Sequence, residues 1–461
     1  MNDVINICQQ SIQNWIRQCK NNLLAYAIKL RIRSIRKGIF MKILIFTSSS
    51  GNGHNSTAKR IKEKVLDNDP NAEIEIVDIY KSYTSKFKAW IMEQGYFFSC
   101  NHLVNLYNYY FKKSEKSTPD NRDRTKANRE TYVLLHGMLD TIYSFQPDVI
   151  VSTYIFASIA ITNLKRYYTI PAKTICMTLD YGISPYWECC TNGLDYMFLT
   201  SDYMKKRFIE LGYTEEQLIV SGIPVADNFF VNKSKEESRR TLGLHEDLFT
   251  LIVMKASFFP IKNRDLLREF SKIKQKIQIV IINGKDKKSQ DYFDKKLTSS
   301  TSHHNIINIG FTNDIVDYLN SANLVLGKAG GLSTTEQISL GKPSLIVDKL
   351  PQQEIYNKHY LIENNCALAV NKHNIAETIN LLMQNEKLYE ELSYNALRIR
   401  KEYPLNKICE VIMSCPKADY NNIVMTDSKR RVIRNIDRKR KESIRNTRKM
   451  RYCKKGAVSK A

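Results

Sequence analysis

From Met41 onward the chain alternates two hydrophobic periods. Short runs rich in Ile, Val and Leu are each followed by a stretch whose apolar positions recur every three or four residues. "KILIFTS", "AEIEIVDIY", "PDVIVSTYI", "AKTICMTLD", "DYMFLTS" and "LIVSGIPV" read as strands, with "STAKRIKEKVLDND", "RETYVLLHGMLDTIYSFQ" and "DYMKKRFIELG" as helices among them. The pattern then restarts. "LFTLIVMKAS", "IQIVIING", "NIINIGF", "NLVLGKAG" and "PSLIVDK" are strands, alternating with "NRDLLREFSKI", "SQDYFDKKL", "DIVDYLNSA" and "LSTTEQISLG". Such alternation predicts parallel sheets with helices on both faces. Between the two series lies the polar segment "NKSKEES", which has no apolar period. The expectation is an α/β chain of two doubly wound domains, 41–225 and 226–428, facing a central cleft. Ligands of open α/β sheets bind beyond the carboxyl ends of the strands, so the cleft is the expected site.

Charge adds the ends of the chain to this picture. Residues 1–40 hold seven Lys and Arg against one acid, and residues 429–461 hold fifteen against two, within a total of +23. The body is therefore near balance and the ends are basic. In 1–40, Ile5, Cys8, Ile12, Trp15, Ile16, Leu23, Leu24, Ala27 and Ile28 fall at helical intervals among Arg17, Lys20 and later cations. That is the pattern of an amphipathic interfacial helix; a helix packed on the body, or an extension preceding a start at Met41, fits it equally. The tail 429–461 is too poor in apolar residues to form a core. Near anionic lipid each cation contributes about 1 kcal/mol, so an anionic membrane surface is the expected partner of the tail. It has one aromatic, Tyr452, and no recognised nucleic-acid fold, so nucleic acid is not an expected partner. No apolar run reaches the ~20 residues of a membrane-spanning helix. The ten cysteines include no C-x-x-C pair, and Cys189 and Cys190 are adjacent, which fits a reducing compartment.

Two loops carry candidate chemistry. "TSSSGNGHNSTA" follows the first strand and contains Gly51, Gly53 and His54. It can be a plain strand-to-helix turn, a phosphate cradle, or a mount for a proton-accepting imidazole. "GKAGGLSTTEQISLGKPSLIV" places Gly330 and Gly331 between a strand and a helix. Paired glycines let backbone amides and the positive helix end approach an anion. Ser333 and Thr334 can cap that helix or donate to phosphate oxygens, and Glu336 stands where ribose hydroxyls can donate to it. Gln353, Glu354 and Asn357 follow the next strand and suit sugar hydroxyls, or simply start a polar helix. Asp180 ends the strand "TICMTLD", on the same side of the sheet, as a base, an orienting group or a loop cap.

With these residues in view the chain resembles the monogalactosyldiacylglycerol synthases and processive diacylglycerol glucosyltransferases. More distantly it resembles the N-acetylglucosaminyltransferase that makes lipid II. The family's Lys-Pro-Gly-Gly-Leu, Glu, Pro-Gly-Gln-Glu and Asn pattern is met here by Lys328-Ala329-Gly330-Gly331-Leu332, Glu336, Pro351-Gln352-Gln353-Glu354 and Asn357. Its Gly-x-Gly-His loop is met by the stretch from Ser49 through His54. "QPDVIVST", "TLDYGISPYW" and "VSGIPV", the last with Gly222, fall where the family has Pro-Asp-x-Ile, Thr-Asp-Phe and Gly-Ile-Pro-Val. "IGFTND" resembles the family's uracil-binding turn, with Phe311 beside the base or in the core.

The resemblance, over about residues 41–400, implies two Rossmann-like domains in the GT-B arrangement. It implies a peripheral enzyme on the cytoplasmic face of the membrane, moving a hexose from UDP-glucose or UDP-galactose to diacylglycerol or a similar lipid. The anomeric centre would invert, with no metal and no cofactor beyond the UDP-sugar. His54 and Asp180 would be catalytic, and Lys328, Gly330, Gly331, Leu332, Ser333, Thr334, Glu336, Gln353, Glu354 and Asn357 would hold the donor. Gly51, Gly53, Trp90, Tyr96, Phe97 and Phe98 would face the acceptor or the membrane. Three positions depart from the family: Ser184 in place of a histidine, Lys255-Ala256-Ser257 in place of a glycine-rich turn, and Ala329 in place of proline. They leave open a non-catalytic binding protein, or a transferase for a polyprenyl-linked sugar.

Overall fold

A computed structural model describes residues 40–49, 51–115, 122–231, 233–255, 259–298 and 303–421. The basic segments 1–39 and 422–461, on which the membrane-anchor expectations rest, lie outside the described residues.

Each expected strand forms. The first sheet contains β1 Lys42–Thr47, β2 Glu73–Asp78, β3 Val149–Ser152, β4 Lys173–Met177, β5 Tyr196–Leu199 and β6 Leu218–Val220, in the order β2-β1-β3-β4-β5-β6. The second contains β7 Thr250–Met254, β8 Gln278–Ile282, β9 Asn305–Ile309, β10 Leu324–Gly327, β11 Ser344–Val347 and β12 Ala367–Val370, in the order β12-β11-β10-β7-β8-β9. Every described pairing is parallel, for example Ile45 with Val151 and Val253 with Leu326. The inner strands are buried on both faces, and Ile43, Leu44, Ile45, Leu251, Ile252 and Val253 have no exposure. That is why their sequence is continuous Ile, Val and Leu rather than alternating.

The strand order reverses once in each sheet, between β1 and β3 and between β7 and β10. A crevice opens at such a switch point because the neighbouring connections leave on opposite faces. Six helices border the two crevices: α1 Asn52–Asn68, α2 Lys86–His102, α3 Val104–Glu115, α4 Gly331–Ser339, α5 Gln352–Glu363 and α6 Pro404–Ser414. One apolar cluster runs through both domains, joining Ile43, Val151, Leu179 and Tyr181 of the first to Leu251, Ala329, Leu345 and Leu361 of the second. The interface is thus continuous with the cores.

Residues 404–421, expected in the second domain, return to the first. Helix α6 packs on α1, Tyr420 OH donates to the Pro147 carbonyl at 3.0 Å, and Lys417 pairs with Asp148 at 2.9 Å. None of the seven described cysteines forms a disulfide with another described cysteine.

Candidate active site

Helix α1 begins at Asn52, so His54 stands in its first turn rather than at the end of a loop. Gly51 makes the turn at φ 102°, a conformation L side chains rarely adopt. Side chains at three strand ends then fix the helix start. Thr47 Oγ1 donates to Asn55 Oδ1 at 3.0 Å, Asn55 Nδ2 to Ser49 Oγ at 3.1 Å, and Ser49 Oγ to Asp78 Oδ2 at 2.6 Å. Thr153 Oγ1 donates to Thr47 Oγ1 at 2.9 Å. This places the Thr153 carbonyl, just past β3, 2.5 Å from His54 Nδ1. A carbonyl can only accept, so the proton belongs on Nδ1 and Nε2 keeps its lone pair. The Tyr154 ring closes one side, its centroid 5.0 Å from the imidazole at 73°. Burial lowers the His54 pKa below its ordinary 6.5, against the opposing pull of the Thr153 bond. The positive end of α1 acts in the same direction as burial.

Across the cleft, Gly330 precedes α4 with no side-chain cap, so the first-turn amides of α4 have no side chain to satisfy them. A methyl group on Gly331 would stand 1.9 Å from the Leu179 carbonyl oxygen and 3.3 Å from Asp180 Oδ1. One on Gly53 would stand 3.6 Å from Leu332 Cδ1. The His54 turn, the end of β4 and the start of α4 therefore meet, with glycine at both points of closest approach.

Asp180 is held by Asn357, which is fully buried and bonds three ways. Its Nδ2 donates to Asp180 Oδ1 and to the Ala329 carbonyl, each at 2.8 Å, and its Oδ1 accepts from the Tyr181 amide at 2.6 Å. Burial pushes the Asp180 carboxyl up to about 6; Asn357 opposes this, Glu354 adds to it, and Lys328 opposes it.

Lys328 pairs with Glu354 through Oε1. Glu354 Oε2, Gln353 Oε1, Gln352 Oε1 and Thr334 Oγ1 are buried without hydrogen-bond partners among the described residues. Buried polar atoms cost free energy when unpaired, so such a group around α4 and the start of α5 marks a site for a polar ligand. Gln353 Nε2 donates to Tyr107 OH, and Asn108 Nδ2 to the Leu350 carbonyl at 2.9 Å, which docks α3 on the second domain.

Other expected residues lie as follows. Glu336 is buried and paired at 3.0 Å with Arg60, whose other nitrogen donates to the Pro224 carbonyl at 3.3 Å. Burial raises its pKa and Arg60 opposes the rise. Leu332 and Ser333 are half-buried in the first turn of α4. Phe311, 66% exposed beyond β9, is not a core residue. Gly222, which the family resemblance would place among the donor-binding residues, takes φ 86° beneath Lys401 and Pro404, at a crossover of the chain between the domains. Ser184 precedes the short helical turn Pro185–Cys190. Phe87, Trp90, Ile91, Phe98, Leu106 and Tyr110 are exposed on α2 and α3; the Tyr96 and Phe97 side chains lie outside the described residues. Among the described residues no helix is long and apolar enough to cross a membrane, and no cluster of His, Cys, Asp and Glu has the makings of a metal site. Thr153 and Arg60 went unread in the sequence; only the strand end "VIVST" marked Thr153 as cleft-facing.

Comparison with known proteins agrees with this geometry. The family model for monogalactosyldiacylglycerol synthase matches residues 54–225, and that for the glycosyltransferase family 28 C-terminal domain matches residues 259–404. A processive diacylglycerol beta-glucosyltransferase of Bacillus pumilus is 23% identical over 83% of this chain and 97% of its own. One of Staphylococcus saprophyticus is 26% identical over 81% and 92%. A UDP-glucosyltransferase of Polygonum tinctorium superposes with a TM-score of 0.54 at 12% identity, over 82% of this chain and 99% of its own, a likeness of fold. The first domain thus matches the monogalactosyldiacylglycerol synthase model and the second the glycosyltransferase family 28 C-terminal model, which together place the chain among the glycosyltransferases.

Proposed function

From that membership we propose that the protein moves a hexose from a UDP-sugar to the hydroxyl of a lipid such as diacylglycerol, at a membrane surface, with inversion. The observation that carries this is the meeting of His54, with its free Nε2, and the uncapped start of α4 in one cleft. The acceptor hydroxyl gives its proton to His54 Nε2 while its oxygen attacks the anomeric carbon. The bond from that carbon to the diphosphate oxygen breaks on the opposite face, and UDP leaves. A neutral imidazole poised at this pH is the form the step needs. The amides and positive end of α4 face the departing charge, the role a divalent cation fills elsewhere. Asp180, fixed by Asn357, lies beside the same helix start and orients the acceptor. Glu354 and Gln353 present unpaired acceptors to sugar hydroxyls. The exposed aromatic face of α2 and α3, which carries Trp90 and Phe98, suits the headgroup boundary of a bilayer, and the basic ends suit the anionic lipid of the cytoplasmic leaflet.

The test is transfer of label from UDP-glucose and UDP-galactose into lipid, with diacylglycerol and a polyprenyl-linked sugar as separate acceptors and EDTA as a further arm. Label in lipid that survives EDTA is the expected result. Binding of UDP without transfer to either acceptor would leave a non-catalytic protein.

A further inference from the structure

Lys255 is the first residue after β7, at the switch point of the second sheet. Its amide donates to the Ile282 carbonyl at 2.9 Å, which fixes the backbone there as part of the sheet. The adjoining edge of the crevice is the end of β10: a methyl group on Gly327 would stand 3.4 Å from Met254 Cβ. Lys255 and Lys328 thus leave neighbouring strands side by side, and Gly330 and α4 follow Lys328 directly.

The side chain is 5% exposed. Its ammonium has no ion pair and no hydrogen bond with a described residue; it lies 5.7 Å from the Phe259 ring centroid. Asp286 acts on it through space only, its carboxylate accepting from the Ser289 amide at 3.0 Å. Other lysines of this domain with little exposure are treated differently. Lys342 donates to the Asn320 and Ala322 carbonyls at 2.7 and 3.1 Å, and Lys328 pairs with Glu354. Lys255 is thus a largely buried lysine whose ammonium meets no described partner, an arrangement that costs free energy. Burial lowers the pKa of Lys255, which reports that cost. On the first turn of α4, Thr334 Oγ1 is buried and has no hydrogen-bond partner among the described residues.

We propose that Lys255 binds the diphosphate of the nucleotide, its ammonium set at the end of β7 to face the same anion as the α4 amides. This rests on the nucleotide-sugar reading above and assigns the chain its own cationic phosphate contact. The residue then discriminates a nucleoside diphosphate from a nucleoside.

Calorimetric titration of wild type and Lys255→Met with UDP and with uridine, alongside thermal melts of each, tests this. Methionine keeps the length and removes the charge. A charge-assisted hydrogen bond to phosphate predicts a loss of UDP affinity of about tenfold or more, with uridine affinity unchanged. The free variant should melt no lower than wild type, since an unpaired buried charge has been removed, while its UDP-induced shift in Tm shrinks. Equal losses for UDP and uridine, or no loss for UDP, would overturn the assignment to Lys255. Wild type that fails to bind UDP at all would overturn the nucleotide-sugar reading together with it.

Discussion

Replacing His54 by Asn separates its two nitrogens. An Asn amide nitrogen falls near the place of Nδ1 and can still donate to the Thr153 carbonyl, but nothing replaces Nε2. The turn, which is fixed by Thr47, Asn55 and Ser49 rather than by the imidazole, should persist. Loss of a positioned base costs about 10²–10⁴ in rate, or roughly 3–5 kcal/mol of transition-state stabilisation. The proposed UDP site lies at α4 rather than at the imidazole, so UDP affinity should change less than about twofold. His54→Ala, which also loses the Thr153 bond, should be no more active. The pH dependence follows from the pKa lying below 6.5 through burial. The neutral, proton-accepting form prevails at pH 7 and above, and the His54-dependent fall in kcat/KM appears only as pH drops below 6.5. The assay is the initial rate of label transfer into lipid, paired with calorimetric UDP titration. A His54→Asn enzyme within about threefold of wild-type turnover would show that some other group takes the proton. Equal losses of rate and UDP affinity would make His54 a structural residue.

Asp180→Asn should trade activity for stability. The native carboxyl titrates near 6 against an ordinary 3.8, so the fold favours its protonated form, and that contribution is lost as pH rises from about 4 to about 6. Removing the charge should raise Tm at pH 8, by at most about 3 kcal/mol in free energy, and leave it unchanged below pH 4; calorimetry showing a pH-independent difference would contradict this. Gly331→Ala forces a carbon to 1.9 Å from the Leu179 carbonyl, so the domains must part. Transfer should fall at least about a hundredfold, as misplaced reacting groups do, with a larger radius of gyration in X-ray scattering; an unchanged radius with normal turnover would refute that contact. Phe87→Ser with Trp90→Ser, at positions 71% and 57% exposed, should cut vesicle binding about tenfold or more without altering UDP affinity. Undiminished cosedimentation would remove this face as the membrane contact.

Much of the architecture was legible because buried parallel strands leave continuous β-branched runs that nothing else in the chain imitates. Strand β12, Ala367–Val370, was missed because "ALAV" is short and neither continuous in β-branched residues nor set off by a turn signal. The start of α1 was misplaced for an energetic reason. Gly53 is a poor helix former, and Ser56-Thr57 imitates a cap, but a network reaching β2 and β3 outweighs local preference. The site was legible as residue types and not as pairs. Glu336 could be picked out one turn into α4; that Arg60, 276 positions away, holds it could not. Asn357 could be picked out as a candidate sugar ligand; that it also fastens Asp180 to the Ala329 carbonyl could not. Such contacts depend on how two domains face one another, for which a single sequence has no periodic signal.

Those pairings bear on how the cleft works. Arg60 with Glu336, Asn357 with Asp180 and Tyr107 with Gln353 each join one domain to the other. Each also occupies a carboxylate or amide that a ribose or hexose hydroxyl would draw on. Donor binding therefore exchanges an interdomain contact for a substrate contact of similar kind, and little net affinity is gained at these groups. The ion pairs Lys64 with Asp227 and Lys401 with Asp202 differ, because they flank the two chain crossovers rather than the cleft. The crossovers carry the left-handed residues Gly222, φ 86°, and Tyr403, φ 46°. Contacts that a substrate can replace lie on one side, and contacts that it cannot replace lie at the crossovers.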